Sequence, residues 1–132
     1  MQTLLDTHAW VWWVTEDPRL SSRASAAIAR GRRSGQLSVS LISAWEVAKK
    51  VEKGQLVLDR PLDQWLDQAT AISGMLVSDL TRHILVDSCR LPQPFQGDPA
   101  DQIIVATARQ QGAILVTKDR QLRNYSPVRS VW

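Results

Sequence analysis

The stretch Ala113-Ile114-Leu115-Val116-Thr117-Lys118-Asp119 decides the fold. It follows Gly112, stays apolar from Ala113 to Val116, and reaches an acid three residues later. A short run without a polar face needs cover on both sides, as a strand inside a parallel sheet does. Upstream, Ile103, Ile104, Val105 and Ala108 recur at helical spacing, and Asp98 or Pro99 opens that helix. The unit is therefore helix, buried strand, and an acid just beyond the strand's carboxyl end.

Working outward, the unit recurs at the start of the chain. Gln2 to Leu5 reads as a buried strand ending at Asp6, and Thr7 is expected to cap a helix carrying His8 to Val14, which stops before Asp17-Pro18. Ser21 or Ser22 caps a second helix through Ala24, Ala27 and Ile28, ending near Gly31 or Gly35. Gln36 to Leu41 reads as a strand. Ser43-Ala44-Trp45-Glu46 has the spacing of a capping box and is expected to open a helix to Gly54. Pro61 suits the first position of a helix running to Ile72 and closed by Gly74. Met75 to Val77 is a short strand, Thr81 to Arg90 a helix, and Val128 to Val131 a last strand. This alternation predicts an α/β fold over residues 1–132: one domain, with a short, mostly parallel central sheet flanked by helices on both faces.

With 132 residues, 44% of them hydrophobic and 22% charged, the chain has the composition of an ordinary folded domain, not of a disordered tail or a fibre. The only cysteine, Cys89, excludes an internal disulfide framework and suits a reducing, cytoplasmic setting; it reads as a small buried hydrophobe. Met1 to Asp6 lacks the pattern of a signal peptide, and no apolar run approaches the roughly 20 residues that cross a bilayer. Sixteen Lys and Arg against thirteen Asp and Glu give +3, a mild bias toward anionic partners.

In a parallel α/β sheet the ligand site lies beyond the carboxyl ends of the strands. There the sequence places Asp6, Glu46, Asp98 with Asp101, and Asp119. Each has an ordinary reading: Asp98 and Glu46 as first-turn acids complementing a helix dipole, Asp6 and Asp119 as turn residues. Gathered at one sheet edge, however, they repel, and such a group either raises some pKa values or takes a cation. Carboxylate oxygens without cysteine suit Mg²⁺ or Mn²⁺ better than zinc. Such an ion beside open water is the equipment of phosphodiester hydrolysis. Thr7, Ser43 and Thr117 stand beside these acids as caps or as groups that orient a carboxylate.

Four segments together resemble the PIN-domain family, and most closely its VapC-type toxins of bacterial toxin–antitoxin pairs. They are Leu4-Leu5-Asp6-Thr7-His8, Ser43-Ala44-Trp45-Glu46-Val47, Gly97-Asp98-Pro99-Ala100-Asp101 with Ile103-Ile104-Val105-Ala106, and Thr117-Lys118-Asp119. The resemblance runs the length of the chain to Tyr125–Trp132. It implies a metal-dependent endoribonuclease held inactive by a cognate antitoxin, with Asp6, Glu46, Asp101 and Asp119 as its acids and Asp98 in support. By the same resemblance Asp6, Asp101 and Asp119 would hold one or two Mg²⁺ or Mn²⁺ ions, Glu46 would position the attacking water, and a 5′-phosphate and 3′-hydroxyl would result. Gln102 departs from the pattern, which often has Arg there.

Other residues carry weaker expectations. Trp10 and Trp13 share a helix face and should pack inward, while Trp12 points elsewhere. Trp45 and Trp65 sit on helices whose apolar sides could meet an antitoxin or form a homodimer seam, with core packing favoured for Trp65. His8 is expected to cap or pack, with contact to substrate or metal-bound water as the alternative, and His83 to be structural. Lys49, Lys50, Lys118 and Arg120 are placed for RNA phosphates, together with Lys53; Arg30-Gly31-Arg32-Arg33 is read first as a solvated helix end. Two rivals stand beside the nuclease reading. One is a receiver-type phospho-acceptor domain; the other is an RNA- or partner-binding module without turnover. A phosphatase of the haloacid-dehalogenase kind needs Asp-x-Asp where the chain has Asp6-Thr7-His8.

Overall fold

The computed structural model describes all residues from Met1 to Trp132. Five strands form one parallel sheet: β1 (Thr3–Leu5), β2 (Leu37–Ser40), β3 (Met75–Ser78), β4 (Ile114–Val116) and β5 (Arg129–Val131), in the order β3-β2-β1-β4-β5. β1 is central, with Leu5 in register with Val39 on one side and Val116 on the other. The chain lays β2 and β3 outward in one direction, then returns to place β4 and β5 on the opposite side. The order therefore reverses between β1 and β4, and the crevice beyond their carboxyl ends is where such a sheet accepts a ligand. The receiver fold has the order 2-1-3-4-5, which this sheet does not follow.

Seven helices cover the sheet: α1 (Thr7–Val14), α2 (Ser22–Arg33), α3 (Leu41–Glu52), α4 (Leu62–Thr70), α5 (Arg82–Ser88), α6 (Pro99–Gln111) and α7 (Arg120–Arg123). Alternation along the strands divides the core in two. Leu5, Val39 and Val116 pack with Trp10, Ile28, Val47 and Trp65. Leu4 and Leu115 face the other way and pack with Ile84, Ile104, Leu122 and Tyr125. Trp10 has no solvent exposure, donates its indole N–H to Ala69 O at 3.1 Å, and meets Trp65 edge-on at 5.2 Å. A Cβ on Gly31 would stand 3.1 Å from Thr3 Cβ, so glycine lets α2 approach β1 closely. Gly112, at φ 61°, ends α6 in a left-handed turn that leads straight into β4.

Several local expectations are corrected. Asp6, not Thr7, caps α1. Ser40, not Ser43, caps α3, its hydroxyl accepting from Ile42 N at 3.2 Å, and the helix begins at Leu41. The Ser43–Glu46 spacing of three also joins neighbours inside a helix, and here Ser43 is a fully buried interior position. Pro61 lies just outside α4 as its cap. Cys89 is exposed, because it ends α5 at the surface. α7 leaves no signal in the sequence, since four residues are too few for periodicity to register. Trp65 is buried, whereas Trp45 is 50% exposed with the Lys49 ammonium 4.5 Å over its ring.

Candidate active site

Asp6 stands at the carboxyl end of the central strand and is only 4% exposed. Its Oδ1 accepts from Thr7 N at 2.7 Å, and its Oδ2 accepts from Thr117 Oγ1 at 2.7 Å. Thr117 follows β4, so the hydroxyl reaches across the switch point between the two strands. The same Oγ1 accepts from Asp119 N at 3.1 Å, while Asp119 Oδ1 accepts from Gln121 N at 2.8 Å and so caps α7. One buried hydroxyl thus fixes both the side chain of Asp6 and the backbone of Asp119.

On the other flank Thr7 Oγ1 donates to Glu46 Oε1 and lies 2.8 Å from Ser43 Oγ. A hydroxyl has one proton, so with Thr7 donating to Glu46, Ser43 is the donor to Thr7. That relay joins α1 to α3 and holds one oxygen of Glu46. Asp98 and Asp101 open α6 as a reciprocal capping box: Asp101 N donates to Asp98 Oδ1 at 2.8 Å, and Asp98 N to Asp101 Oδ2 at 3.2 Å.

The electrostatics show which of these carboxylates share a field. Burial, then the charges of Asp6, Asp98 and Glu46, push the Asp101 carboxyl up to about 7. Burial also raises Glu46, with Asp6 and Asp98 adding to the effect, against the Thr7 hydrogen bond and Lys50. Four acids from three segments therefore act on one another. No group of three or more His, Cys, Asp or Glu side chains is drawn together tightly enough to hold an ion by itself in this arrangement. The acids instead rest on hydroxyl and amide donors of their own protein. Mg²⁺ in particular keeps several of its waters and is bound through only one or two carboxylates. Hard oxygens whose burial and crowding raise the pKa of Asp101 and Glu46 fit such a divalent ion.

His8 holds a more specific position than the cap or packing role its sequence context suggests. Its Nε2 accepts from Lys118 N at 2.9 Å, which requires an unprotonated nitrogen. Burial lowers its pKa and agrees with that neutral form. The remaining proton then sits on Nδ1, 3.6 Å from Asp6 Oδ2. No spacing in the sequence connects His8 to Lys118, 110 residues away, so only the folded chain reveals the bridge.

The basic residues divide. Lys49, Lys50 and Lys53 line an open cavity of about 230 Å³ with Trp45, Glu46, Asp98 and Pro99, against the acidic pocket. Lys118 is exposed, its ammonium 5.6 Å from the centre of the Trp12 ring. Arg120 lines a different cavity, with Arg23 and Arg123. Asp6, Thr7, Ser43, Glu46, Thr117 and Asp119 are linked by hydrogen bonds or by one shared hydroxyl, and Asp98 and Asp101 join them through their charges.

Known proteins bear on this arrangement. The family model described as "PIN domain" matches residues 3–126. A curated relative, Ribonuclease VapC22 of Mycobacterium tuberculosis, is 39% identical over 128 residues, which cover 97% of this chain and 95% of the relative. Among solved structures, a toxin–antitoxin complex from Klebsiella pneumoniae aligns with TM-score 0.68 at 20% identity, covering 99% of this chain and 97% of that one. VapBC2 from Rickettsia felis, bound to a DNA fragment from its promoter, aligns with TM-score 0.69 at 16% identity over 99% and 98%. At such identities the two structures speak to the fold. With the family model spanning nearly the whole sequence, the chain belongs to the PIN-domain family of metal-dependent nucleases.

Proposed function

We propose that the protein is an endoribonuclease, the toxin of a toxin–antitoxin pair, hydrolysing RNA phosphodiesters at its carboxylate pocket. The observation that carries this reading is the buried Asp6 carboxylate at the switch point, joined through Thr117 to Asp119 and through Thr7 to Glu46. The likeness to a ribonuclease supports the RNA substrate, and the likeness to solved toxin–antitoxin complexes supports an antitoxin partner. No helix is long and apolar enough to cross a membrane.

Asp6, Asp101 and Asp119 would hold Mg²⁺ or Mn²⁺, with Asp98 supporting Asp101 through the capping box. When bound, that ion supplies charge to the phosphate oxygens and lowers the pKa of the attacking water. Thr117 keeps Asp6 turned toward the pocket and fixes the turn that carries Asp119. Glu46 has one oxygen held by Thr7, which leaves the other to orient the incoming water. Water attacks phosphorus in line, the bond to the 3′-oxygen breaks, and that oxygen takes a proton, giving 5′-phosphate and 3′-hydroxyl ends. Lys49 and Lys50, on the cavity wall beside Glu46, and Lys118, beside His8, would meet the flanking phosphates.

The test is incubation of total RNA with the purified protein in Mg²⁺ or Mn²⁺, with EDTA and Asp6→Ala as controls. Cleavage by the wild type that both controls abolish is expected. Equal cleavage by Asp6→Ala would place the chemistry elsewhere.

A further inference from the structure

A second cavity, of about 590 Å³, opens where α2, α7 and β5 meet, lined by Arg23, Arg120, Arg123 and Trp132 among others. Its volume is within the range that holds small-molecule ligands. All three arginines are exposed, and none forms an ion pair with a carboxylate. Arg123 complements the carboxyl end of short α7, an ordinary use of a cation, and Arg120 follows directly on the Asp119 cap. Arg23 has no such excuse. It sits in the first turn of α2, where the helix dipole opposes a positive charge and no acidic residue offsets it. Three guanidinium groups around one cavity, with no carboxylate paired to any of them, make a site that attracts an anion.

The wall of this cavity packs toward the acidic pocket. Trp132, on its wall, packs against His8 with ring centroids 5.7 Å apart and against Trp12 at 5.7 Å. His8 in turn faces Asp6 and accepts from Lys118 N. Asp119, one residue before Arg120, bonds to the same Thr117 hydroxyl as Asp6. The Trp132 and His8 rings therefore stand between the arginine cavity and Asp6, while Arg120 follows Asp119 directly in the chain.

We propose that this cavity is a subsite for the RNA strand beside the cut, in which Arg23, Arg120 and Arg123 hold backbone phosphate and Trp132 offers its ring to a base. The proposal rests on the endoribonuclease reading and adds to it a place for the strand outside the carboxylate pocket. Guanidinium groups in a fork geometry with an aromatic wall match single-stranded nucleic acid, which such surfaces bind by charge and stacking without reading sequence. An acidic protein segment would use the arginines but has no need of the ring, and the adjacency of Arg120 to Asp119 favours the strand.

Binding is measured by fluorescence anisotropy with a labelled mixed-sequence oligoribonucleotide and the full chain in EDTA, over a series of salt concentrations. Thermal melts check that each variant is folded. The double variant Arg23→Ala/Arg123→Ala is expected to bind at least tenfold more weakly, with the slope of log K against log salt shallower by about one to one and a half, the value for two lost phosphate contacts on a single strand. Trp132→Ala should weaken binding about tenfold and Trp132→Phe should restore most of it. Unchanged affinity and salt slope in the double variant would overturn the subsite. So would a loss confined to a poly-glutamate peptide measured in parallel, which would give the cavity to an acidic protein segment. Hydrolysis of bis(p-nitrophenyl) phosphate by the wild type in Mn²⁺ tests the nuclease reading separately, since so small a diester needs only the carboxylate pocket.

Discussion

Thr117 Oγ1 donates to Asp6 Oδ2 at 2.7 Å across 111 residues of sequence, and both side chains are buried. The contact closes the gap between β1 and β4, where the strand order reverses. Because the same oxygen accepts from Asp119 N, one hydroxyl sets the geometry of two acids.

Thr117→Val keeps the shape and removes the hydroxyl. Asp6 loses a donor and Asp119 N an acceptor, a cost of about 1–3 kcal/mol for buried polar groups left unpaired. Affinity for Mn²⁺ should fall about ten- to a hundredfold, as when a ligand loses the group that orients it. Urea denaturation and calorimetric titration check the two effects, and Thr117→Ser should restore most of both.

Asp101 gives a pH prediction. Its folded pKa, about 7, lies above the ordinary carboxylate value of 3.8. The folded chain therefore holds this proton more tightly than the unfolded chain does, and stability falls as pH rises from about 4 to 7. Above that window the ionised group opposes folding. Asp101→Asn, which keeps an acceptor for Asp98 N, should raise the melting temperature of the protein in EDTA at pH 8. The gain should vanish near pH 4. A gain at both pH values would point to an effect other than charge.

His8→Phe should keep the ring contacts with Trp12 and Trp132 while leaving Lys118 N without its acceptor. Loosening the turn before Asp119 should lower kcat for RNA cleavage roughly ten- to a hundredfold, as misplaced catalytic groups do, with RNA affinity in EDTA almost unchanged. His8→Gln, which supplies an acceptor, should recover part of the loss. Equal loss in both variants would mean that the imidazole does more than position the turn.

The tryptophans separate core from surface. Trp10→Ala should destabilise by about 3–5 kcal/mol in urea titration, because it empties a fully buried site and strips Ala69 O of its donor. Trp45→Ala, at an exposed site, should stay within about 0.5 kcal/mol of the wild type.

The alternation of elements is legible because buried parallel strands are continuous apolar runs, and those of β1 and β4 stand out just before Asp6 and Asp119. The sequence could also place the acids near strand ends, since parallel topology sends those ends to one edge. Capping was less legible: Asp6 and Thr7, or Ser40 and Ser43, offer competing caps, and only packing against the sheet chooses between them. The exposure of Cys89 is not legible in the sequence, because burial depends on which side of α5 faces the core and its last residues lack a strong apolar pattern. The His8–Lys118 bridge and the arginine cavity join residues far apart in the chain, and local spacing holds no trace of either.

The central claim is that the acids beyond β1 and β4, with those on α3 and at the start of α6, form a divalent-cation centre. Titration of Mn²⁺ into the full chain, followed by calorimetry, tests it most directly. The wild type should take up the ion, and Asp6→Asn should weaken uptake at least tenfold without loss of fold. Undiminished binding by Asp6→Asn, or no binding by the wild type at millimolar Mn²⁺, would contradict it.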